Sequence, residues 1–209
     1  MSKYVITIAR GYGSGGRTIG KMLSEELGIH YYDRELLRLA SDESGINEEL
    51  FGKADEKIKD SFLYKIMRKS YSGEIITPDS DDFVSNDNLF NFQAKVIRQL
   101  AKEEDKSCIV VGRCADYILK DCKNVIRLFV HAPLEHCIDR IEPMSNVSRR
   151  ELQKKIERID KHRADYYEYY THRAWDNAAN YDLCINTSEL TLQEAVILIM
   201  EYIKLRIKE

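Results

Sequence analysis

Short runs of apolar residues recur along the chain and predict the strands of a buried sheet. Five of them are rich in Val, Ile, Tyr or Cys, and they occupy residues 4–8, 30–32, 108–111, 125–130 and 183–185. Runs of this length and composition are typical of strands that are covered on both faces. We therefore expect five short strands in the interior of the protein.

The stretches between these runs repeat their apolar positions with the period of amphipathic helices. Capping signals support them: Pro133 suits a first helical turn, and Ser148 and Thr191 each precede a glutamate by three residues. The predicted helices cover residues 18–27, 34–42, 48–69, 88–102, 133–141, 148–170 and 191–207. Because helices alternate with strands, we predict a three-layer α/β/α fold around a five-stranded, mainly parallel sheet.

The predicted strands are unevenly spaced. Residues 33–107 separate the second strand from the third and are mostly helical in pattern, whereas a simple βαβ crossover needs far fewer residues. We therefore predict a single domain over residues 1–209 with a helical insertion at residues 34–105. Within the insertion, the stretch 77–88 is acidic and polar and carries one of the three prolines of the chain, so it is predicted to be a mobile loop. The alternative is a calcium site, but the stretch lacks the glutamate-terminated spacing of an EF-hand.

Composition and charge are those of a globular protein. The 209 residues are 44% hydrophobic and 32% charged, and no apolar run approaches the roughly 20 residues of a membrane span. A net charge of −3 gives no overall attraction for nucleic acid. The start of the chain lacks the pattern of a secretory signal, and the five cysteines form no C-x-x-C pair. We therefore expect a cytoplasmic protein with reduced thiols, which binds small molecules rather than nucleic acid or membranes. Part of the apolar stripe over residues 191–207 would also suit a homodimer.

The first strand runs into a glycine-rich loop that fits two phosphate-binding fingerprints. Gly11, Gly13 and Gly16 form the G-x-G-x-x-G of a dinucleotide-binding fold, in which Asp33 would bind a ribose. The same loop, followed by Arg17, also reads as a G-x-x-x-x-G-K-T phosphate loop whose lysine is replaced. In both, glycines allow close backbone approach, and a helix N-terminus offers free N–H groups to an anion. The loop therefore predicts phosphate binding and leaves two kinds of nucleotide open.

The residues after the last glycine favour the phosphate loop. Arg17 would place a cation against the β- and γ-phosphates, and the Thr18 hydroxyl would lie within reach of Mg²⁺. A dinucleotide-binding fold instead places small or apolar residues here. Because a guanidinium is bulkier than an ammonium and less like a point charge, we expect phosphate binding to survive better than catalytic rate.

Charged residues also stand at two other places where a phosphoryl-transfer enzyme would need them. The third strand runs directly into Arg113, with Asp116 three residues later, and ligands of open α/β sheets bind beyond such strand ends. Cations over the γ-phosphate would stabilise the transition state of phosphoryl transfer. The basic residues of the helix predicted over residues 148–170 could supply them, although some of these residues also suit a solvated helix face. The long helix predicted after residue 148 carries three such cations: Arg158, Lys161 and Arg163.

The chain resembles the cytidylate kinase-like family of P-loop proteins, relatives of the nucleoside monophosphate kinases. The resemblance is carried by ITIARGYGSGGRTIGKMLSEELGIHYYDRELL, IVVGRCADYIL, RLFVHAPLEHCIDRI, IDKHRADYYEYY and WDNAANYDLCINTS, which span nearly the whole chain. It implies a P-loop NTPase fold with an acceptor-binding insertion at residues 34–105 and a short lid at about residues 145–172. It further implies ATP- and Mg²⁺-dependent phosphoryl transfer to a nucleoside monophosphate or a similar small phosphorylated acceptor.

The same resemblance implies a role for each candidate residue. The acceptor site would be formed by Asp33, Arg34, Arg113 and Asp116, the last two matching a Gly-Arg-Asp region of cytidylate kinases. Thr18 would hold Mg²⁺. The catalytic cations would be Arg17, Arg158, Lys161 and Arg163. The ATP phosphates would lie on Gly11, Gly13, Ser14, Gly15, Gly16, Arg17 and Thr18.

Two departures from the family's pattern keep other functions open. Cytidylate kinases carry a lysine where this chain has Arg17, and their aspartate follows the arginine directly, whereas two residues separate Arg113 from Asp116. One alternative is therefore a nucleotide-binding regulatory protein with weak or no kinase activity. The other is an NAD-binding oxidoreductase that uses the glycine loop and Asp33.

Overall fold

Five parallel strands form the central sheet of the computed structural model, which describes residues 3–56, 73–76, 78, 80, 84–102 and 106–207. Within these residues the strands are β1 Val5–Arg10, β2 His30–Tyr32, β3 Cys108–Val111, β4 Val125–His131 and β5 Leu183–Asn186. Their order across the sheet is β2-β3-β1-β4-β5, and the four neighbouring pairs are parallel. All five predicted strands are confirmed, because each observed end lies within two residues of the expected one.

Helices connect the strands. Among the described residues the α-helices are α1 Gly16–Leu27, α2 Glu35–Ser44, α3 Glu48–Glu56, α4 Asn86–Lys102, α5 Ala115–Ile118, α6 Leu134–Ile141, α7 Arg149–Thr171 and α8 Leu192–Arg206. Both predicted capping boxes are present, at Ser148 and Thr191. Pro133 caps α6 instead of entering its first turn, because its ψ of 148° is not helical. The helix predicted beyond residue 56 lies outside the described residues, as do residues 77, 79 and 81–83 of the acidic stretch.

Two apolar layers enclose the sheet. Successive side chains of a strand point to opposite faces, so Val5 and Ile6 belong to different layers. Val5 and Val110 pack with α2, α3 and α4 and with the C-terminal tyrosines of α7. Ile6 and Ile8 pack with α1 and α8 on the other face. This arrangement confirms the predicted three-layer α/β/α architecture.

The parallel strands all end at one edge of the sheet. Arg10 ends β1, Asp33 follows β2, Gly112 follows β3 and Thr187 follows β5. The central strand, β1, has β3 on one side and β4 on the other. Since open α/β sheets bind ligands beyond this edge, the fold brings the glycine loop to the middle of the region where a ligand is expected.

Two expectations from composition can be compared with the structure. Among the described residues the five cysteines form no disulfide, and three of them (Cys108, Cys114 and Cys137) are buried. Among the residues that the structure describes, none of the helices is long and apolar enough to cross a membrane.

Gly20 lies inside α1 at the point where this helix approaches the sheet. A Cβ atom there would lie 2.9 Å from Cε2 of Tyr31 and 3.1 Å from Cδ1 of Ile8, whereas a Cβ at Gly52, inside α3, would meet no atom within 4 Å. Alanine is favoured over glycine inside a helix by about 0.8–1 kcal/mol, but overpacking a core costs about 1–3 kcal/mol.

We therefore expect Gly20→Ala to lower the free energy of unfolding by about 1 kcal/mol or more, while Gly52→Ala, the matched control, leaves it unchanged or raises it. Urea unfolding of both variants measures this difference. Equal gains in stability would contradict the close approach of α1 to β1 and β2.

Candidate phosphate-binding site

The loop between β1 and α1 leaves several backbone N–H groups free. Gly13 and Gly15 have φ values of 83° and 86°, in the left-handed region that favours glycine. Gly16 allows α1 to begin directly against β1, since a Cβ there would lie 2.6 Å from the Cβ of Arg10. Free donors at a helix N-terminus form a natural anion site. N–H groups without a hydrogen-bond partner among the described residues include those of Gly13, Gly15, Arg17 and Thr18.

The carbonyl groups of the same loop are held by side chains from α6 and from the end of β5. Nη1 of Arg140 donates to the Gly13 carbonyl at 2.7 Å, and the Thr187 hydroxyl donates to the Ser14 carbonyl at 2.7 Å. Arg140 also donates to Thr187, through Nη2 to its carbonyl at 3.0 Å and through Nη1 to its hydroxyl at 3.3 Å. Occupied carbonyl groups are not available to turn towards an anion, so Arg140 and Thr187 favour the loop conformation in which the N–H donors are free. Sequence reasoning missed both residues.

Three arginines surround the carboxylate of Asp33. Nη2 of Arg17 lies 2.5 Å from Oδ2, while Nη1 of Arg113 and Nη2 of Arg10 lie 3.6 Å and 3.9 Å from Oδ1. The Asp33 side chain is only 10% exposed. The structure thus brings together three predicted site residues, Arg17, Asp33 and Arg113, and it places the Arg17 guanidinium on Asp33.

A turn of unusual backbone conformation presents Arg113. Gly112, Arg113 and Cys114 follow one another in the left-handed region, with φ values of 77°, 53° and 54°. For a residue other than glycine this conformation costs about 1–2 kcal/mol, and strain of this kind is concentrated at functional sites. The turn allows Arg113 to reach Asp33 at the end of β2.

Arg10, which sequence reasoning also missed, is the last residue of an otherwise apolar strand. Burial and, next, the charge of Arg163 lower the pKa of Arg10 to about 9, with Arg113 and Arg17 acting in the same direction and Asp33 opposing them. The signal that could have found it is a charged residue at the binding edge of a central strand.

Helix α7 contacts the loop through Asp160 and Arg163. Oδ1 of Asp160 accepts hydrogen bonds from the Tyr12 N–H at 2.8 Å and from Nη1 of Arg163 at 3.0 Å. Arg163 also donates to the Arg10 carbonyl at 3.0 Å. Burial raises the pKa of Asp160 and lowers that of Arg163. The pair therefore joins the predicted lid helix to the start of the glycine loop.

The other candidate cations are further out. Arg158 and Lys161 are exposed on α7, and Nζ of Lys161 pairs with Asp165 at 2.5 Å. Arg34 is exposed at the start of α2, and Thr18 is exposed in the first turn of α1. Of the three predicted lid cations, Arg163 is the one with a hydrogen bond to the strand that leads into the loop.

Asp116 has a different environment from Arg113. Its side chain lies in the core, where it accepts a hydrogen bond from the Tyr167 hydroxyl at 2.6 Å. Burial raises the pKa of Asp116. This buried bond ties α5 to α7, whereas Arg113 faces Asp33. The structure therefore separates two residues that the sequence had paired.

Comparisons with known proteins agree on a kinase fold. A model described as the cytidylate kinase-like family matches residues 5–189. A cytidylate kinase of Pyrococcus horikoshii is 26% identical over 189 residues, which cover 90% of this chain and 81% of that protein. The structure of an uncharacterized protein from Eubacterium ventriosum has a TM-score of 0.70 at 25% identity, covering 96% of this chain and 98% of that one. A shikimate kinase from Bacteroides thetaiotaomicron has a TM-score of 0.53 at 14% identity, with the same coverage, and shares the P-loop kinase-like fold.

The support given by Arg140 can be tested directly. Arg140→Ala leaves the Gly13 and Thr187 carbonyl groups without their charged donor, and an unpaired buried acceptor costs about 1–3 kcal/mol. We expect the variant to bind ATP about 5- to 100-fold more weakly in isothermal titration calorimetry, because the loop relaxes. Arg98→Ala, an exposed position on α4, should match the wild type. Wild-type affinity in Arg140→Ala would show that the loop keeps its shape without this contact.

Proposed function

The chain belongs to the cytidylate kinase-like family, and we propose that it transfers the γ-phosphoryl group of ATP to a nucleoside monophosphate or a similar small phosphorylated acceptor. Family membership and the kinase-fold neighbours support a nucleotide kinase in general. The observation that carries the proposal is the juxtaposition of two anion-binding features. A glycine loop with free N–H groups is followed directly by Arg17, which meets Arg10 and Arg113 at Asp33.

ATP would bind through the loop from Gly11 to Thr18. The free N–H groups would hold phosphate oxygens, and the exposed Thr18 hydroxyl would be one ligand of Mg²⁺. Among the described residues there is no group of three or more His, Cys, Asp or Glu side chains that could hold a metal. This fits Mg²⁺, which usually takes a few protein ligands together with phosphate oxygens and water. When bound, the ion would neutralise charge on the β- and γ-phosphates.

The transferring group would be stabilised by arginines that flank the loop. Arg163 is partly buried beside the end of β1, where it donates a hydrogen bond to the Arg10 carbonyl. Arg17 would exchange its ion pair with Asp33 for a phosphate oxygen, which its 51% exposure allows. Arg158 and Lys161 lie on exposed turns of α7 and would approach the phosphates only with a movement of this lid, which we assign to about residues 145–172.

The acceptor would bind on the side of β2 and β3. Arg113 would contact its phosphate, Asp33 and Arg34 would line the entrance, and the insertion at residues 34–105 would cover it. Asp116 would act indirectly, by fixing α5 and α7 through Tyr167. An acceptor phosphate is already a nucleophile near neutral pH, so the chemistry needs no general base.

One structural observation favours a regulatory nucleotide-binding protein as the second candidate. The Arg17 guanidinium is engaged by Asp33 at 2.5 Å, so its use in transfer would first require breaking an ion pair. The oxidoreductase alternative has less support. In the usual dinucleotide-binding fold β2 is next to β1, whereas here β3 lies between them.

A substrate panel tests the proposal. Purified protein is mixed with ATP, Mg²⁺ and one nucleoside monophosphate at a time (CMP, UMP, AMP or GMP), and the diphosphate product is measured by chromatography. We expect turnover that EDTA abolishes, with CMP as the preferred acceptor. ATP binding without turnover on any of the four would reject the kinase and support the regulatory protein. Binding of NADH that is weakened in Asp33→Asn would support the oxidoreductase.

Two variants should separate the donor side from the acceptor side. Arg113→Ala removes a charged contact of the acceptor, so we expect the acceptor KM to rise about tenfold or more with little change in the KM of ATP. Arg17→Ala should lower kcat about 100-fold, while the free energy of unfolding changes by less than about 1 kcal/mol, because the Arg17 side chain is 51% exposed.

Steady-state kinetics and urea unfolding measure these effects. An effect of Arg113→Ala confined to ATP would contradict its assignment to the acceptor. Unchanged turnover in Arg17→Ala would remove this residue from the mechanism.

A further inference from the structure

Arg10 is a largely buried arginine whose hydrogen-bond donors are unused. Its side chain is 16% exposed and lies 3.9 Å from Asp33, and in the part of the chain that the structure describes its guanidinium donates no hydrogen bond. Arg127, on the neighbouring strand β4, is buried to the same degree, with 17% of its side chain exposed. Its donors are used, however, because its guanidinium donates to the carbonyl groups of Asp116, Leu119 and Lys120. Buried guanidinium groups normally find such acceptors, so the donors of Arg10 are available to a ligand.

Arg10 packs closely against two glycines. A Cβ atom at Gly16 would lie 2.6 Å from the Cβ of Arg10, and one at Gly112 would lie 2.1 Å from Nη1. Any larger residue at either position would therefore displace the arginine. Its backbone is held as well, by the hydrogen bond from Arg163. The backbone of Arg10 is thus held in position, while the donors of its side chain make no hydrogen bond within the described residues.

The charge of Arg10 is incompletely neutralised by its surroundings. Arg17 and Arg113 approach the same carboxylate, so three guanidinium groups share the negative charge of Asp33. The Asp160 carboxylate also attracts Arg10, but it is already paired with Arg163. Burial lowers the pKa of Arg10 to about 9, which means that the folded protein disfavours its charged form. A buried charge destabilises a protein unless an opposite charge pairs with it. A bound anion would supply the opposite charge that this group of arginines lacks.

We propose that Arg10 is a substrate-binding residue that, together with Arg113, binds the anionic group of the phosphoryl acceptor. This inference rests on the proposed function and adds a residue and a ligand class to it. Arg10 and Arg113 lie within 4 Å of the same oxygen of Asp33, so they can bind two oxygens of one anion. A phosphate monoester fits this pair, because it is compact and carries nearly two charges.

The guanidinium lies on the acceptor side of the loop. It packs against Gly112, which follows β3, and it faces Asp33, which follows β2. The free N–H groups that would hold ATP belong to the loop itself and to the first turn of α1. Arg10 therefore separates the two anion positions and belongs to the one beside Arg113.

The test compares Arg10→Met with Arg127→Met, a matched variant of an equally buried arginine. Thermal unfolding is recorded in a phosphate-free buffer, alone and with millimolar inorganic phosphate, CMP or ATP. Without ligand, we expect Arg10→Met to melt within about 1 °C of the wild type or above it, because an unneeded buried charge is removed. Arg127→Met should melt at least about 3 °C lower, because its hydrogen bonds are lost. With CMP, the stabilisation seen in the wild type should vanish in Arg10→Met and persist in Arg127→Met. With inorganic phosphate, which the glycine loop would also bind, the stabilisation should be reduced in Arg10→Met and unchanged in Arg127→Met.

Several results would overturn the inference. If Arg10→Met melts as far below the wild type as Arg127→Met, Arg10 is structural. If it retains the full shift with phosphate and CMP, or loses only the shift with ATP, Arg10 does not bind the acceptor. A wild-type protein that neither phosphate nor CMP stabilises would also reject the site.

Turnover provides an independent check. In the kinase assay, Arg10→Met should raise the KM of the acceptor at least about tenfold, while the KM of ATP changes less than about twofold. If CMP stabilises the wild type but not Arg10→Met, and no turnover is detected, the proposed kinase activity is rejected while the anion site is supported. The two claims can therefore fail separately.

Discussion

The carboxylate of Asp33 is the charge on which the candidate site depends. Three guanidinium groups, those of Arg10, Arg17 and Arg113, lie within 4 Å of it. Without it, like charges would repel one another in surroundings where burial weakens the screening by water. Each of these residues comes from a different part of the chain: the end of β1, the first turn of α1 and the turn after β3. Parallel strand order is what makes their meeting possible, because it brings all these ends to one edge.

The glycine loop is supported by contacts from both sides of this edge. Arg140 on α6 and Thr187 at the end of β5 donate hydrogen bonds to its carbonyl groups. On the other side, Asp160 on α7 accepts a hydrogen bond from the Tyr12 N–H. What is left free is a set of N–H donors at the start of α1. These contacts hold the loop in shape without a ligand, which would lower the entropy lost on binding an anion. Because Arg163 contacts both Asp160 and the end of β1, a movement of α7 would change the hydrogen bonds that hold the start of the loop.

Much of this fold follows from local pattern, and much of the site does not. The strands and the capped starts of α7 and α8 were predictable, since short apolar runs and capping boxes act within a few residues. Arg140 and Thr187 were not, because their partners are distant in sequence: Arg140 contacts Gly13, more than a hundred residues away. Asp116 shows a third case. The left-handed turn at Arg113 and Cys114 directs two nearby charged residues to different environments, and the spacing of residues alone does not reveal it.

The central claim is that a donor phosphate site and an acceptor phosphate site lie side by side at this edge. Calorimetric titration with a bisubstrate ligand, adenosine and cytidine joined through five phosphates, tests it most directly. If the two sites are adjacent, the linked ligand gains from binding both at once, and it should bind at least about tenfold more tightly than either ATP or CMP. An affinity no greater than that of ATP alone would contradict the account.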